Sequence, residues 1–376
     1  MTGAASLHPG IERAGRLAAE LRAREVDVLL VAAPINLRYL TGFTGSHGLA
    51  LIGAEQADRG KVLPDRFFTD FRYATQSAEQ VSESFEREIV RGNLLEAAVG
   101  SLPGASGRFG FDEASLTVGD HTRLRALLPQ EWELAPCGGA VERLRAVKDA
   151  GELERIRAAT ELADEALRGV LEDGVVDRSE REVAIELELR MRRLGAEAAS
   201  FPSIVAAGAH GALPHAEPRP RKIPRDVLVT IDWGALHEGY CSDCTRTYAT
   251  GEGISTQARE IYELVRCAQE QGVAAVRAGP TGRELDAVAR EVIEAAGHGE
   301  HFGHGLGHGV GMDIHEGPRL SRTAGEEPLQ AGNVVTVEPG VYLPGRLGVR
   351  IEDLVVVGED GHETLTSLSK ALTVVA

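Results

Sequence analysis

Two short stretches hold aspartates at a spacing that could do chemistry: Val229-Thr230-Ile231-Asp232-Trp233-Gly234 and Tyr240-Cys241-Ser242-Asp243-Cys244-Thr245. A hairpin turn over residues 234–239 would set Asp232 directly across from Asp243 on neighbouring strands. Like charges so placed are destabilising unless a cation lies between them or one carboxyl keeps its proton. The pattern recurs at Glu338 in Val337-Glu338-Pro339-Gly340 and Glu352 in Arg350-Ile351-Glu352-Asp353, with Pro344-Gly345-Arg346 as the turn. One such pair is commonplace, but two predict a shared cation site. Only Arg246 and Arg350 stand nearby in sequence, too few to neutralise four acids.

Between the two pairs lies Gly303-His304-Gly305-Leu306-Gly307-His308-Gly309-Val310-Gly311-Met312-Asp313-Ile314-His315-Glu316. So many glycines argue against a helix; the expectation is a histidine-rich loop that brings backbone and imidazole close to something small. One imidazole with four carboxylates is a mixed donor set suited to Mn²⁺, Co²⁺, Fe²⁺ or Zn²⁺. Four carboxylates balance two divalent ions, which predicts a two-metal centre. Cys241 and Cys244 match C-x-x-C, but a second pair for a closed zinc site is missing, and so is a strand-to-helix redox context. They are read as packing around Asp243. The glycine loop fits neither dinucleotide nor P-loop spacing, so nucleotide binding has no support.

The elements that must position these groups are legible from pattern and composition. A chain of 376 residues is more than twice the roughly 150 residues of a typical domain, so two domains are expected. Forty Lys plus Arg stand against 57 Asp plus Glu, a net charge of −17, which repels phosphate backbones and anionic lipid. Nucleic acid and membrane surfaces are therefore disfavoured partners. A hydrophobic content of 43% argues for a folded chain rather than a disordered acidic one. Four cysteines fit a reducing cytosol, and residues 1–10 lack a signal-peptide pattern, so a cytoplasmic location is expected.

Ile11, Ala14, Leu17, Ala18 and Leu21 have helical spacing and lead into an apolar run, residues 28–33, that Pro34 ends. Strand candidates follow at residues 49–52, 67–69, 88–90 and 108–111, giving an N-terminal α/β domain over residues 1–143. The pattern breaks near Pro136-Cys137-Gly138-Gly139. Residues 144–376 show amphipathic helices near 150–172, 178–194, 256–277 and 282–296. Between and after these come β-type runs at 227–233, 240–248, 334–337 and 349–357. Strands interleaved with helix pairs predict an α+β domain with an antiparallel sheet. The proline-rich stretch 214–224 is read as a loop.

At these residues the chain resembles the pita-bread metallopeptidases of the prolidase and aminopeptidase P branch. The matching stretches are Ile231-Asp232-Trp233-Gly234, Ser242-Asp243-Cys244-Thr245-Arg246-Thr247, His304-Gly305-Leu306-Gly307-His308, Ile314-His315-Glu316, Val337-Glu338-Pro339-Gly340 and Arg350-Ile351-Glu352-Asp353. The likeness extends to residues 36–42, 69–73 and 144–151. Trp233, Cys241 and Cys244 are not the commonest family choices, though none replaces a ligand.

The resemblance implies metal ligation by Asp232, Asp243, His308, Glu338 and Glu352, with Asp243 and Glu352 bridging two ions, manganese first and cobalt, zinc or iron as alternatives. It implies catalytic roles for His215, His315 and Glu338: the histidines hydrogen-bond the substrate or its developing oxyanion, and Glu338 moves a proton to the leaving nitrogen. His304 lines the site without binding metal and, with Arg350, joins the substrate-binding groups. Arg319 matches a position where prolidase-like members place an arginine for the proline carboxylate. The activity implied is Xaa-Pro dipeptidase on proline-containing dipeptides or short peptides, by a homodimer. Xaa-Pro aminopeptidase action on longer peptides, and a catalytically inactive peptide-binding module, are the alternatives.

Overall fold

The structure is a computed structural model that describes residues 9–56, 60–61, 63–104 and 106–375; the first eight residues and their signal-peptide reading lie outside it. The chain divides into two compact units, Met1–Arg145 and Ala146–Ala376.

The first unit is built on a six-stranded sheet in the order Glu86–Val90, Arg66–Asp70, Gly48–Gly53, Val28–Val31, Gly107–Phe111, Trp132–Pro136. Val28–Val31 runs parallel to Gly107–Phe111 but antiparallel to Gly48–Gly53, because a short helix, Pro34–Thr41, and no crossover of sheet length joins it to the latter. The apolar run ends at Pro34 because that proline opens the helix, where its missing N–H costs nothing. In the helix Pro9–Ala23, the side chains of Ala14, Leu17, Ala18 and Leu21 are buried, as their spacing predicts, while that of Ile11 lies outside what is described. No helix among the described residues is long and apolar enough to cross a membrane.

The second unit is α+β, and every strand pair in its sheets is antiparallel. Helices Ala150–Glu172 and Glu180–Arg193 pack on the sheet of Ile204–Ala207, Leu228–Trp233 and Cys244–Ala249. Helices Thr256–Ala275 and Gly282–Ala295 share a second core with the strands Val334–Val337, Gly340–Leu343, Leu347–Arg350 and Asp353–Val357. Three of these four helices open on full capping boxes, Asp149 with Glu152, Ser179 with Glu182 and Thr281 with Glu284, and Ser255 caps the fourth. Local polar residues thus set where the helices begin.

Two β-type runs read as continuous are interrupted. Residues 240–248 break at Ser242 and Asp243, between Tyr240–Cys241 and Cys244–Ala249. Likewise, Ile351 and Glu352 separate Leu347–Arg350 from Asp353–Val357, and Glu338 and Pro339 separate Val334–Val337 from Gly340–Leu343. Three of the four singled-out acids therefore sit where the chain leaves one sheet for another. The glycine-rich segment also differs from the expected loop, since Gly307–Gly309 is a strand between Glu316–Leu320 and Val334–Val337. A Cβ on Gly307 would lie 2.0 Å from the Thr336 carbonyl oxygen, and one on Gly309 would lie 2.1 Å from that of Gly317. Here glycine permits close strand approach rather than looping.

Candidate metal and substrate site

Asp232 lies within the strand Leu228–Trp233 and pairs with Thr245, not with Asp243. The same register resumes at Leu236 and Cys241 and closes over Glu238 and Gly239, one residue later along the chain than a direct Asp232–Asp243 pair requires. A two-residue offset keeps both side chains on one face, as diagonal neighbours. In the other hairpin, Gly340 pairs with Arg350 and Val337 with Asp353, the register that sets Glu338 across from Glu352. Carboxylate oxygens of Asp232, Asp243 and Glu352 all lie within 4.8 Å of one another.

His308 projects into the same space. Its Nδ1 lies 3.1 Å from the Gly309 carbonyl oxygen, which can only accept, so Nδ1 carries the proton. Burial, ahead of the nearby charges, pulls its pKa down to about 4, and the ring is neutral. Nε2 therefore turns a lone pair toward Asp243 Oδ2 at 3.6 Å and Glu338 Oε1 at 3.4 Å. These contacts are not ion pairs; a lone pair facing carboxylates asks for a cation among them.

The carboxyls respond to the same lack of positive charge. Burial, then the Glu352, Asp232 and Glu338 charges, pushes Asp243 well above the usual carboxylate range. Glu352 is pushed up likewise by burial and by Glu338 and Asp232, against a 2.6 Å bond from Thr245 Oγ1. Glu338 is pushed up to about 8 by burial and Asp232, which outweigh Arg350 and a bond from Thr336. The neighbouring Asp353 goes the other way, to about 2, because Arg246 and Lys370 overcome its burial. Adjacent buried acids thus differ by whether the fold supplies a cation. Asp232 Oδ1 is buried with no hydrogen-bond partner among the described residues, a costly state for a carboxylate oxygen that a metal ion would relieve.

Among the described residues, Arg350 is the one guanidinium lining this centre, and it is 4% exposed. It donates to Asp232 Oδ2 at 2.7 Å, Thr245 Oγ1 at 3.0 Å, Tyr342 Oη at 2.9 Å and the Pro214 carbonyl at 3.2 Å. It borders the cavity, as expected of a substrate-binding group, and its donors are committed to protein groups. His304 is similarly engaged: Nδ1 donates to Gly305 O at 2.8 Å, and Nε2 accepts from Tyr342 Oη at 2.9 Å. Burial, then Arg350, pulls its pKa down to about 4, so both nitrogens of a neutral ring are used. Tyr342 and Thr245 were not found by sequence reasoning, since their contribution is a through-space relay with no spacing signal.

The five donors open onto a cavity of about 510 Å³. His215 and His315, both exposed, line it with an apolar wall that includes Phe201, Pro202 and Ile204. The His315 ring packs edge-on against His308 with centroids 4.4 Å apart. Arg319 is exposed on Glu316–Leu320 and is not among the lining residues, yet its charge helps lower the basicity of His308. Cys241 and Cys244 are buried and form no disulfide; their thiols point at the carbonyls of Met312 and Glu352, at 3.7 and 3.5 Å.

Residues 13–147 match the family model for the Creatinase/Prolidase N-terminal domain, and residues 154–359 that for Metallopeptidase family M24. The peptidase YqhT of Bacillus subtilis is 42% identical, covering 93% of this chain and 96% of that protein. An Xaa-Pro dipeptidase from Bacillus anthracis superposes with a TM-score of 0.90 at 37% identity, over 97% of this chain and 99% of the other. An X-Pro aminopeptidase from Thermotoga maritima does so with a TM-score of 0.84 at 35% identity, over 95% and 99%. With a creatinase-type N-terminal domain followed by a pita-bread catalytic domain, the chain belongs to the M24 metallopeptidases.

Proposed function

We propose that the protein is an Xaa-Pro dipeptidase that holds two divalent ions, manganese first among them, on Asp232, Asp243, His308, Glu338 and Glu352. The observation that carries this reading is the convergence of four acids and one neutral imidazole lone pair with a single arginine among them. The donor set, oxygen with one nitrogen, suits manganese, cobalt, iron or zinc.

Divalent ions held there supply Lewis acidity and bring the pKa of water toward neutrality. Glu338, half-buried and pushed up to about 8 before any cation draws it down, takes a proton and delivers it to the leaving imide nitrogen in this reading. His215 and His315, on the cavity wall, hydrogen-bond the substrate and its developing oxyanion. An X-Pro bond has no N–H to recognise, so selectivity falls to the ring's shape and to groups that grip the termini. Arg350, through Asp232 and through Thr245 to Glu352, keeps the ligands in place. Arg350→Lys keeps the charge but not the fork. Its manganese affinity, measured by calorimetry, is expected to fall by about 10- to 100-fold; an unchanged affinity would contradict the positioning role.

Arg319 favours the dipeptide. Exposed and close enough to influence His308, it suits the free carboxylate of a C-terminal proline, which a longer peptide lacks. Its place outside the cavity lining, with the likeness to the Thermotoga maritima aminopeptidase, supports the second reading. Hydrolysis of Ala-Pro is expected to exceed that of Ala-Pro-Ala, and Arg319→Ala to raise KM for Ala-Pro by about 10-fold or more. A faster tripeptide would select the aminopeptidase. Assembly as a homodimer is part of the proposal, and sedimentation tests it.

A further inference from the structure

Glu180 is the first residue of the helix Glu180–Arg193, yet it is 1% exposed and its carboxylate faces the chain that follows the helix rather than solvent. Its Oε1 accepts from the Ala207 amide at 3.0 Å and from Arg219 Nη2 at 3.0 Å. Its Oε2 accepts from the Arg219 amide at 3.0 Å and Nε at 3.1 Å. His210 Nδ1 sits 3.1 and 2.9 Å from the two oxygens. Backbone bonds from Glu180 to Arg221 and from Arg181 to Arg219 continue the attachment.

Ala207 and Arg219 are the two ends of one excursion of the chain, residues 208–218. That excursion carries Pro214, His215, Ala216, Glu217 and Pro218, all in the cavity wall. Its first half is a short 3-10 turn, Gly208–Ala212, packed through Gly211 against Gly348; the second half has no strand partners, so its shape depends on how the end and tip are held. Arg350 holds the tip, at the Pro214 carbonyl, and one buried carboxylate holds both ends. We propose that Glu180 is a positioning residue: by closing the base of the 208–218 loop, it fixes the place of His215 in the cavity wall. The functional consequence rests on the X-Pro hydrolase reading; the structural one does not.

Glu180→Gln is the informative variant because it keeps the volume and removes one acceptor edge. Whichever way the amide turns, its NH₂ faces N–H donors from Ala207 or Arg219, so one end of the loop is released. In the manganese-loaded enzyme, kcat for Ala-Pro is expected to fall by about 10- to 100-fold, the scale of a displaced catalytic group. Calorimetric manganese binding should be unchanged. Adding His215→Ala to Glu180→Gln should cost no more than His215→Ala alone, because both changes act through one imidazole. Multiplying effects would overturn the proposal. Amide hydrogen exchange over residues 208–218 should speed up in Glu180→Gln while that of Leu228–Trp233 stays slow; unchanged loop exchange would also overturn it. That measurement needs no cleaved peptide, so it still decides the positioning role if the wild-type enzyme hydrolyses neither Ala-Pro nor Ala-Pro-Ala and the functional reading falls.

Discussion

Glu338→Ala is expected to reduce turnover of Ala-Pro to background, a loss of about 10³-fold or more, with the fold intact by circular dichroism. Two contributions vanish together. One is a donor to the cation site: Glu338 Oε1 lies 3.4 Å from the His308 lone pair and is steadied by Thr336. The other is a proton carrier whose pKa burial has pushed up to about 8, close to where a group both takes and gives a proton readily. General acid–base catalysis alone is worth about 10²- to 10⁴-fold. Glu338→Gln separates the parts, since the amide oxygen can still face a cation but carries no transferable proton. A near-normal kcat in either variant would remove Glu338 from the mechanism.

Chelation is expected to abolish activity, and manganese, cobalt or zinc to restore it; an apoprotein that stays inactive on every X-Pro peptide would instead favour a binding module on the same fold. Stability should change with it, and with a definite sign. Asp243, Glu338 and Glu352 all have pKa values raised by burial and by neighbouring carboxylates, Asp232 among them in each case, in the metal-free fold. Protonated carboxyls are the form this site favours without a cation. Their contribution to stability is intact in acid, below the unfolded-state values, and is lost as pH rises through the folded values, for Glu338 through about 8. Metal binding requires the deprotonated ligands and strengthens over the same range. Thermal melts of chelated and manganese-loaded protein at about pH 5.5 and about pH 8.5 should therefore show a gap in Tm that widens with pH. A gap that is flat or narrows would mean that these carboxyls do not hold the metal.

Much of this was written in local sequence. The α/β unit, the α+β unit and their helices follow from apolar periodicity and from caps three residues long in reach, such as Asp149 with Glu152. The Glu338–Glu352 facing was legible because one tight turn, Pro344-Gly345-Arg346, joins adjacent strands and so dictates the register. The Asp232–Asp243 facing was legible as to side but not as to partner, because the turn closes on Glu238 and Gly239, both at positive φ, one residue later than direct pairing needs. The glycine segment was read as a loop, since glycine's permissiveness in sequence does not distinguish a turn from strands packed too closely for a Cβ.

By itself, then, the sequence determined the kinds of donors, their order and the two hairpins that carry most of them, because turns, caps and alternation act over a few residues. Only the tertiary structure decided the electrostatics. That Glu352 is pushed up while Asp353 is pulled to about 2 depends on Arg246 and Lys370 reaching the carboxylate of Asp353 and not that of Glu352. The donors of Arg350 are committed to Asp232, Thr245, Tyr342 and Pro214, groups from 8 to 136 residues away that no spacing rule connects. Burial and charge compensation are properties of what surrounds a group in space, and that environment exists only once distant strands have met.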